Sequence, residues 1–191
     1  RTDASGLGAL DIFIGSTGQI QFVGGSSGVT LLNCYSSTGA LVAGRNYQLV
    51  ASFDMANSSN RYVFLNGQAL SMTYGTYTNS NIDFAMPGTY AYAFCVNKDG
   101  GGTASILKAN LGSVWFNTSY IDLSVAANLA KFVTGTGIDA KPVDLGANGE
   151  LPTGTSPLIY LPMYGNNAGK NYGTGGDFTV NSGPYTGCLL Y

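Results

Sequence analysis

The chain has 191 residues, of which 45% are hydrophobic and only 9% charged, and its formal net charge is −2. Globular domains average roughly 25% charged residues, so hydroxyl and amide residues stand here where charges usually do, and so much apolar content at low net charge excludes a disordered tract. The Lys and Arg residues are scattered without a basic run, which excludes a phosphate-tracking nucleic-acid surface, and the apolar runs are too short for a membrane-spanning helix.

This length suits one domain, which buries roughly 70% of the surface its unfolded chain exposes and needs no metal or disulfide staple. The chain begins at Arg1 rather than Met, the pattern of a processed chain or of a piece of something longer. Alternation of apolar and polar residues dominates from the start. Residues 9–14, the Ser16-Thr17-Gly18 turn and residues 19–23 predict a hairpin. Residues 24–28 (Gly-Gly-Ser-Ser-Gly) predict a loop, 29–35 a strand and 47–53 another. Residues 62–65 and 68–73 flank Asn66-Gly67. A two-residue type I′ turn needs positive φ at both positions, which Asn tolerates and Gly adopts freely, so a tight antiparallel hairpin is expected.

Further strands are predicted over 90–96, 105–109 and 112–117. Turn signals every 8–12 residues or so point to two packed antiparallel sheets. One helix is expected after Asp122 or Ser124 as its cap, with Val125, Leu129, Phe132 and Val133 forming one apolar stripe before Thr134-Gly135. Beyond Gly135, prolines and glycines punctuate the chain, and only residues 158–161 and 178–180 look like strands. The expected fold is all-β: an antiparallel two-sheet jelly-roll sandwich over 1–135 with one short helix, and a loop-rich C-terminal extension over 136–191 packed on the same domain.

Two resemblances follow from these pieces. Arg45-Asn-Tyr-Gln-Leu-Val-Ala-Ser-Phe-Asp54 followed by Arg61-Tyr-Val-Phe-Leu-Asn-Gly67 resembles the central strand pair of concanavalin A-like domains of the laminin G/pentraxin type, although Arg45-Asn46-Tyr47 stands where that family carries Trp-His-His. Leu111-Gly-Ser-Val-Trp-Phe-Asn117, Tyr120-Ile-Asp-Leu-Ser124 and Ala127-Asn-Leu-Ala-Lys-Phe132 resemble its closing strand and short helix. Lys141-Pro-Val-Asp-Leu-Gly146, Pro157-Leu-Ile-Tyr-Leu161 and Gly173-Thr-Gly-Gly-Asp-Phe-Thr-Val-Asn181 resemble the C-terminal extension of such domains in tailed-phage virion proteins. The resemblance implies a surface domain of a phage particle, as decoration, fibre or tail component. Its partners would be other virion proteins, including further copies of itself, and a host surface glycan in the alternative reading.

The residue inventory argues against catalysis. The chain has no His, which removes every Ser-His or Cys-His relay and the usual general base. Glu150 is the only glutamate, and the aspartates are dispersed among Gly, Asn and Ser, where Asp commonly organises turns. The paired carboxylates of a glycosidase strand are not spelled out, so a glycan-degrading enzyme is the least favoured reading.

Sugar contact needs ring faces and short polar groups. Among the thirteen tyrosines, Tyr74 and Tyr77 with Asn79 form the first candidate, and Tyr164, Asn166 and Tyr172 the second. Tyr also has high strand propensity and an amphipathic ring, so both clusters serve equally as packing. Trp115, between Val114 and Phe116, is expected to pack under the helix or the C-terminal segment. No cofactor is expected, with one alternative: Asp54 and Asn57 (beside Asn60), or Asn97 and Asp99, form oxygen-rich turns of the kind that hold Ca2+. Cys34, Cys95 and Cys188 match no zinc spacing. Buried reduced thiols are expected, with one disulfide as the alternative. Asn57-Ser-Ser and Asn117-Thr-Ser fit the glycosylation acceptor pattern by chance in a chain rich in Ser and Thr.

Overall fold

The computed structural model describes residues 10–26, 28–82, 84, 96–97, 105–106, 111–163 and 169–178. In chain order the strands are β1 (Leu10–Ile14), β2 (Ile20–Ser26), β3 (Val29–Ser36), β4 (Leu49–Phe53), β5 (Arg61–Leu65), β6 (Gln68–Ala69) and β7 (Met72–Tyr77). They continue with β8 (Val96–Asn97), β9 (Ser105–Ile106), β10 (Val114–Phe116), β11 (Val133–Thr134), β12 (Lys141–Pro142) and β13 (Ile159–Leu161), and one helical turn, α1 (Ala126–Leu129), precedes β11. Every strand pairing among them is antiparallel, and the protein is all-β.

The chain divides into two compact units. The first contains a four-stranded sheet in the order β1-β2-β3-β7 and a three-stranded sheet in the order β4-β5-β6. Ile20, Phe22, Leu32 and Cys34 from the first sheet and Val63 from the second belong to one buried apolar cluster, joined by Met55. The rings of Phe22 and Phe53 meet edge to face at 5.2 Å between centroids. The two sheets thus bury apolar side chains against each other, except on the edge strand β1, where Ile12 and Ile14, opposite Phe22 and Ile20, stay exposed.

Irregularities in the strands explain where alternation breaks. The β2/β3 register shifts at Gly24/Gly25, so that Gly24 faces Leu32 while Gly25 faces Thr30. Leu31 is the extra residue of this bulge, and it lets two adjacent leucines, Leu31 and Leu32, both be buried. The glycines predicted as loop therefore belong to β2, and the connection to β3 is tighter than their composition suggests.

Asn66 and Gly67 take φ of 49° and 70°, the expected mirror turn between β5 and β6. The strand predicted over 68–73 is nevertheless two strands. Pairing with β5 ends at Ala69, and after Leu70 and Ser71 the chain joins the other sheet as β7 against β3. The turn also anchors a distant segment. Asn66 Oδ1 accepts the Gln48 N–H at 2.7 Å, and the Gly137 N–H donates to the Asn66 carbonyl at 2.8 Å.

The helix is shorter than its apolar stripe suggests. Only residues 126–129 are helical, Val133 is already in β11, and Val125 is 47% exposed. Asp122 and Ser124 do not cap it. Asp122 Oδ1 instead accepts from the Ser124 N–H at 2.9 Å and hydroxyl at 2.6 Å, a turn that precedes the helix. Those bonds hold the Asp122 carboxyl below its ordinary range.

In the second unit, β10 pairs with β13, Trp115 lies opposite Tyr160, and the Trp115 Nε1–H donates to the Gly149 carbonyl at 2.8 Å. Trp115 is therefore tied to the C-terminal segment, as its position in the sequence suggests. Ile159, Leu161 and Met163 form a separate apolar cluster. Asn171, 5% exposed, stitches residues 169–178 to β13. Its Oδ1 accepts the N–H groups of Tyr160 (2.8 Å) and Gly173 (2.9 Å), and its Nδ2 donates to the carbonyls of Leu158 (3.1 Å) and Gly176 (3.3 Å). A buried amide with all its capacity used holds a loop that has little apolar surface of its own.

Two expected outcomes test this architecture. Gly67 and Gly39 both have φ above 70° or close to it (70° and 77°), but a Cβ on Gly67 would stand 2.4 Å from the Gly135 carbonyl oxygen, whereas Gly39 is open. Gly39→Ala should cost about 1 kcal/mol in denaturant unfolding and Gly67→Ala about 3 kcal/mol or more. Equal costs would mean that residues 133–137 do not pack on the turn. Asn171→Ala should cost about 3 kcal/mol by leaving buried backbone groups unpaired, and a loss below about 1 kcal/mol would remove the staple.

Candidate functional site

Among the described residues, a cluster of chemistry-bearing side chains lies on the inner face of the two sheets of the first unit. Arg61, Val63 and Leu65 alternate along β5, so the same face that carries buried Val63 also carries Arg61. Arg61 stands opposite Phe53 in the register. An inward cation is costly unless its charge meets compensating groups. Here the guanidinium Cζ lies 3.8 Å from the ring centroid of Tyr74 and 5.2 Å from that of Tyr77, within the range of cation–π attraction.

Both rings reach that position because β7 is irregular. Three residues separate Tyr74 from Tyr77, so a regular strand would send them to opposite faces. The register instead jumps: Cys34 faces Tyr74 and Asn33 faces Thr76, which leaves Gly75 as the bulged residue. Tyr77 then falls opposite buried Leu32, on the core side with Tyr74. The two rings meet edge to face at 5.9 Å, and the Tyr77 hydroxyl donates to the Asp54 carbonyl at 2.7 Å. Residues 74–77, beyond the strand predicted over 68–73, are strand. Their rings are half-buried, and the Arg61 guanidinium lies over the Tyr74 ring, on ground a stacked sugar would occupy. Asn79, just past the strand, is exposed.

Burial sets the proton chemistry of this cluster. It pushes the Cys34 thiol up to about 12, and Tyr74 and Tyr77 likewise to about 12, with neighbouring anions adding to the shift of the tyrosines and Arg61 opposing it in all three. The thiol and both phenols therefore stay neutral near neutral pH. Cys34 is buried and reduced, as expected for that residue, while Cys95 and Cys188 lie outside the described residues.

The first oxygen-rich turn closes on itself. Asp54 Oδ1 accepts the Ala56 N–H and Oδ2 the Asn60 Nδ2–H, both at 3.0 Å, and Asn57 Oδ1 accepts the Ser59 N–H at 3.0 Å. The candidate Ca2+ oxygens of Asp54 and Asn57 thus serve as turn acceptors. Of the second pair, the Asn97 backbone pairs with Ser105, and Asp99 lies outside the described residues. No group of three or more His, Cys, Asp or Glu residues suited to a metal is assembled among the described residues.

The structure places Tyr172 in the loop held by Asn171. It is half-buried, and its N–H donates to the Tyr160 carbonyl at 2.9 Å. Tyr164 and Asn166 lie outside the described residues. Sequence reasoning missed Arg61 as a member of the tyrosine cluster. Its signal was available, because strict alternation from Val63 puts residue 61 on the core face. It also missed the bulge that Gly75, a lone glycine within a strand, marks.

No family model, curated protein or solved structure matches the chain.

Raised acid pKa values make the first unit sensitive to alkali. The fold keeps Cys34, Tyr74 and Tyr77 neutral, so their contribution is fully present below the ordinary values of 9.0 for the thiol and 10.0 for the phenols, and is lost as pH rises towards about 12. The denaturation midpoint should be flat from neutrality to about pH 9 and fall above it. Arg61→Gln should lower the stability and push both phenols further up in a phenolate absorbance titration. Phenols that titrate together at their ordinary value in the native protein would contradict the inward placement.

Proposed function

We propose that the chain is a non-enzymatic structural domain of a tailed-phage particle, a decoration, fibre or tail component, whose paired sheets belong to the concanavalin A-like jelly-roll type. The motif resemblances at 45–67, 111–132 and 141–181 support the assignment, and one structural observation carries its non-catalytic half. Carboxylates across both units serve as turn acceptors. Asp54 accepts from Ala56, Asp122 from Ser124, Asp144 from the Gly146 N–H and Glu150 from the Asn148 N–H, all within two residues in sequence. Asp177 accepts from Lys170 and from the Asn171 N–H, bonds that hold it below its ordinary range. These five carboxylates are committed to shaping loops, and the chain has no His, which supports a non-catalytic role.

A domain of this kind works by rigid presentation. Its few charges suit assembly with other virion proteins and with further copies of itself, because charged groups are costly to desolvate at an interface core. Attachment to a host surface glycan is the second reading. Exposed Asn79 beyond β7 and the hydroxyl- and amide-rich outer positions of the strands favour it.

The test is a density map of intact particles from the source of this chain, with mass spectrometry of the same preparation. The chain should appear in stoichiometric copies at the particle surface, and purified protein should release no reducing ends from surface polysaccharides. A chain found free in the lysate and never in particles, or one that cleaves a polysaccharide, overturns the proposal.

A further inference from the structure

The outer face of the four-stranded sheet, opposite Phe22 and Cys34, carries a patch that the resemblance does not assign. Register defines it. Gln21, Tyr35 and Thr73 form one cross-strand row over β2, β3 and β7, and Val23, Asn33 and Thr76 form the next. Tyr35 is 36% exposed in the middle of the sheet, although an aromatic side chain on a central strand is normally well covered. Thr73 and Gly75 beside it are exposed as well.

The polar groups here are prearranged. Gln21 Nε2 donates to Asn33 Oδ1 at 3.0 Å, which fixes the orientation of both amides and leaves Gln21 Oε1 as an acceptor and Asn33 Nδ2 as a donor. Gly75 contributes no side chain next to them, and even a Cβ there would stand 3.8 Å from Asn33 Nδ2. The bulge that turns Tyr74 and Tyr77 inward thus also opens a notch on the outside, floored by backbone and walled by an amide and hydroxyls.

The patch selects its occupant by chemistry. The charge in these rows is that of Asp11 on the edge strand β1, opposite Val23, so neither nucleic acid nor an acidic polymer has a cation to meet. The apolar side chains of these rows are Val23, Tyr35 and, on the edge strand β1, half-buried Phe13 opposite Gln21, too few for the desolvated centre of a protein interface. An exposed ring flanked by an amide acceptor, an amide donor and two threonine hydroxyls matches a neutral, polyhydroxylated ligand.

We infer that the outer β2-β3-β7 face is a contact site for an uncharged glycan, with Tyr35 as the apolar contact and Gln21 and Asn33 as the hydrogen-bonding pair. This rests on the glycan-attachment reading and names its surface.

Affinity electrophoresis of the full chain through gels containing soluble β-glucan, galactan or mannan tests it, with polygalacturonate as the anionic comparison. At least one neutral polymer should retard the protein. Tyr35→Ala and Asn33→Ala should each weaken that retardation about tenfold, while Tyr172→Ala leaves it unchanged, with all variants matching the parent in circular dichroism. Gly75→Ser, which fills the notch, should weaken retardation without touching either contact residue. Retardation that survives Tyr35→Ala and Asn33→Ala, or that falls with Tyr172→Ala instead, overturns this site while leaving glycan attachment standing. Retardation by polygalacturonate alone, or by none of the polymers, overturns the site and the attachment reading together.

Discussion

The edge of the Phe22 ring on the face of Phe53 marks the constraint on which the first unit depends: two short sheets have one apolar cluster to share. Neither sheet is large enough to bury its own apolar side. Ile20, Phe22, Leu32 and Cys34 lose their water only because Val63 and Met55 arrive from the other direction. Burial of this kind contributes about 25 cal/mol for each Å² of apolar surface removed from water, and no hydrogen bond in the unit compares with that sum. The short β6 and the crossing at Leu70 follow from the same need. The chain leaves one sheet after two paired residues and supplies an edge strand to the other, so that Leu70, Met72, Tyr74 and Tyr77 all pack against one core.

That shared core gives the sheet faces different tasks. Residues on the inside are committed to packing even when their chemistry suggests recognition. Arg61 is held over two tyrosine rings, and the Tyr77 hydroxyl is spent on the Asp54 carbonyl. The single residue Gly75 decides this allocation. Without the bulge, one of the two rings would face outward and the guanidinium would lose half of its aromatic surroundings. The second unit reaches order by another route. Among the described residues its buried apolar cluster is Ile159, Leu161 and Met163, and Asn171 adds four hydrogen bonds from one buried amide. The exposed Lys170–Asp177 pair beside it, with 51% and 55% of the side-chain surface in water, adds little.

Much of the fold was legible because its determinants are local. Period-two alternation found the β1/β2 hairpin, β4 and β5, and Asn66-Gly67 announced its mirror turn through the conformational demands of that turn alone. What escaped was whatever depends on a partner strand. Gly24 and Gly25 look like loop until β3 pairs with them, and residues 68–73 look like one strand until the core pulls half of it into the other sheet. The helix was overread for a related reason. Phe132 and Val133 match a helical stripe, yet Val133 is buried as part of a strand. For the candidate site the residue types were found and their direction was not. Tyr74 and Tyr77 were expected to present their rings to a ligand, and register shows that they face the core. Composition alone excludes one chemistry, since a chain without His cannot build an imidazole relay in any fold.

The most direct measurement is the nuclear Overhauser pattern across β3, β7 and the Phe22–Phe53 contact in isotope-labelled protein. The account predicts cross-strand contacts that pair Cys34 with Tyr74 and Asn33 with Thr76, skip Gly75, and link the rings of Phe22 and Phe53. A continuous β7 register with Asn33 opposite Gly75 and Leu32 opposite Thr76, or no contact between the Phe22 and Phe53 rings, would contradict it.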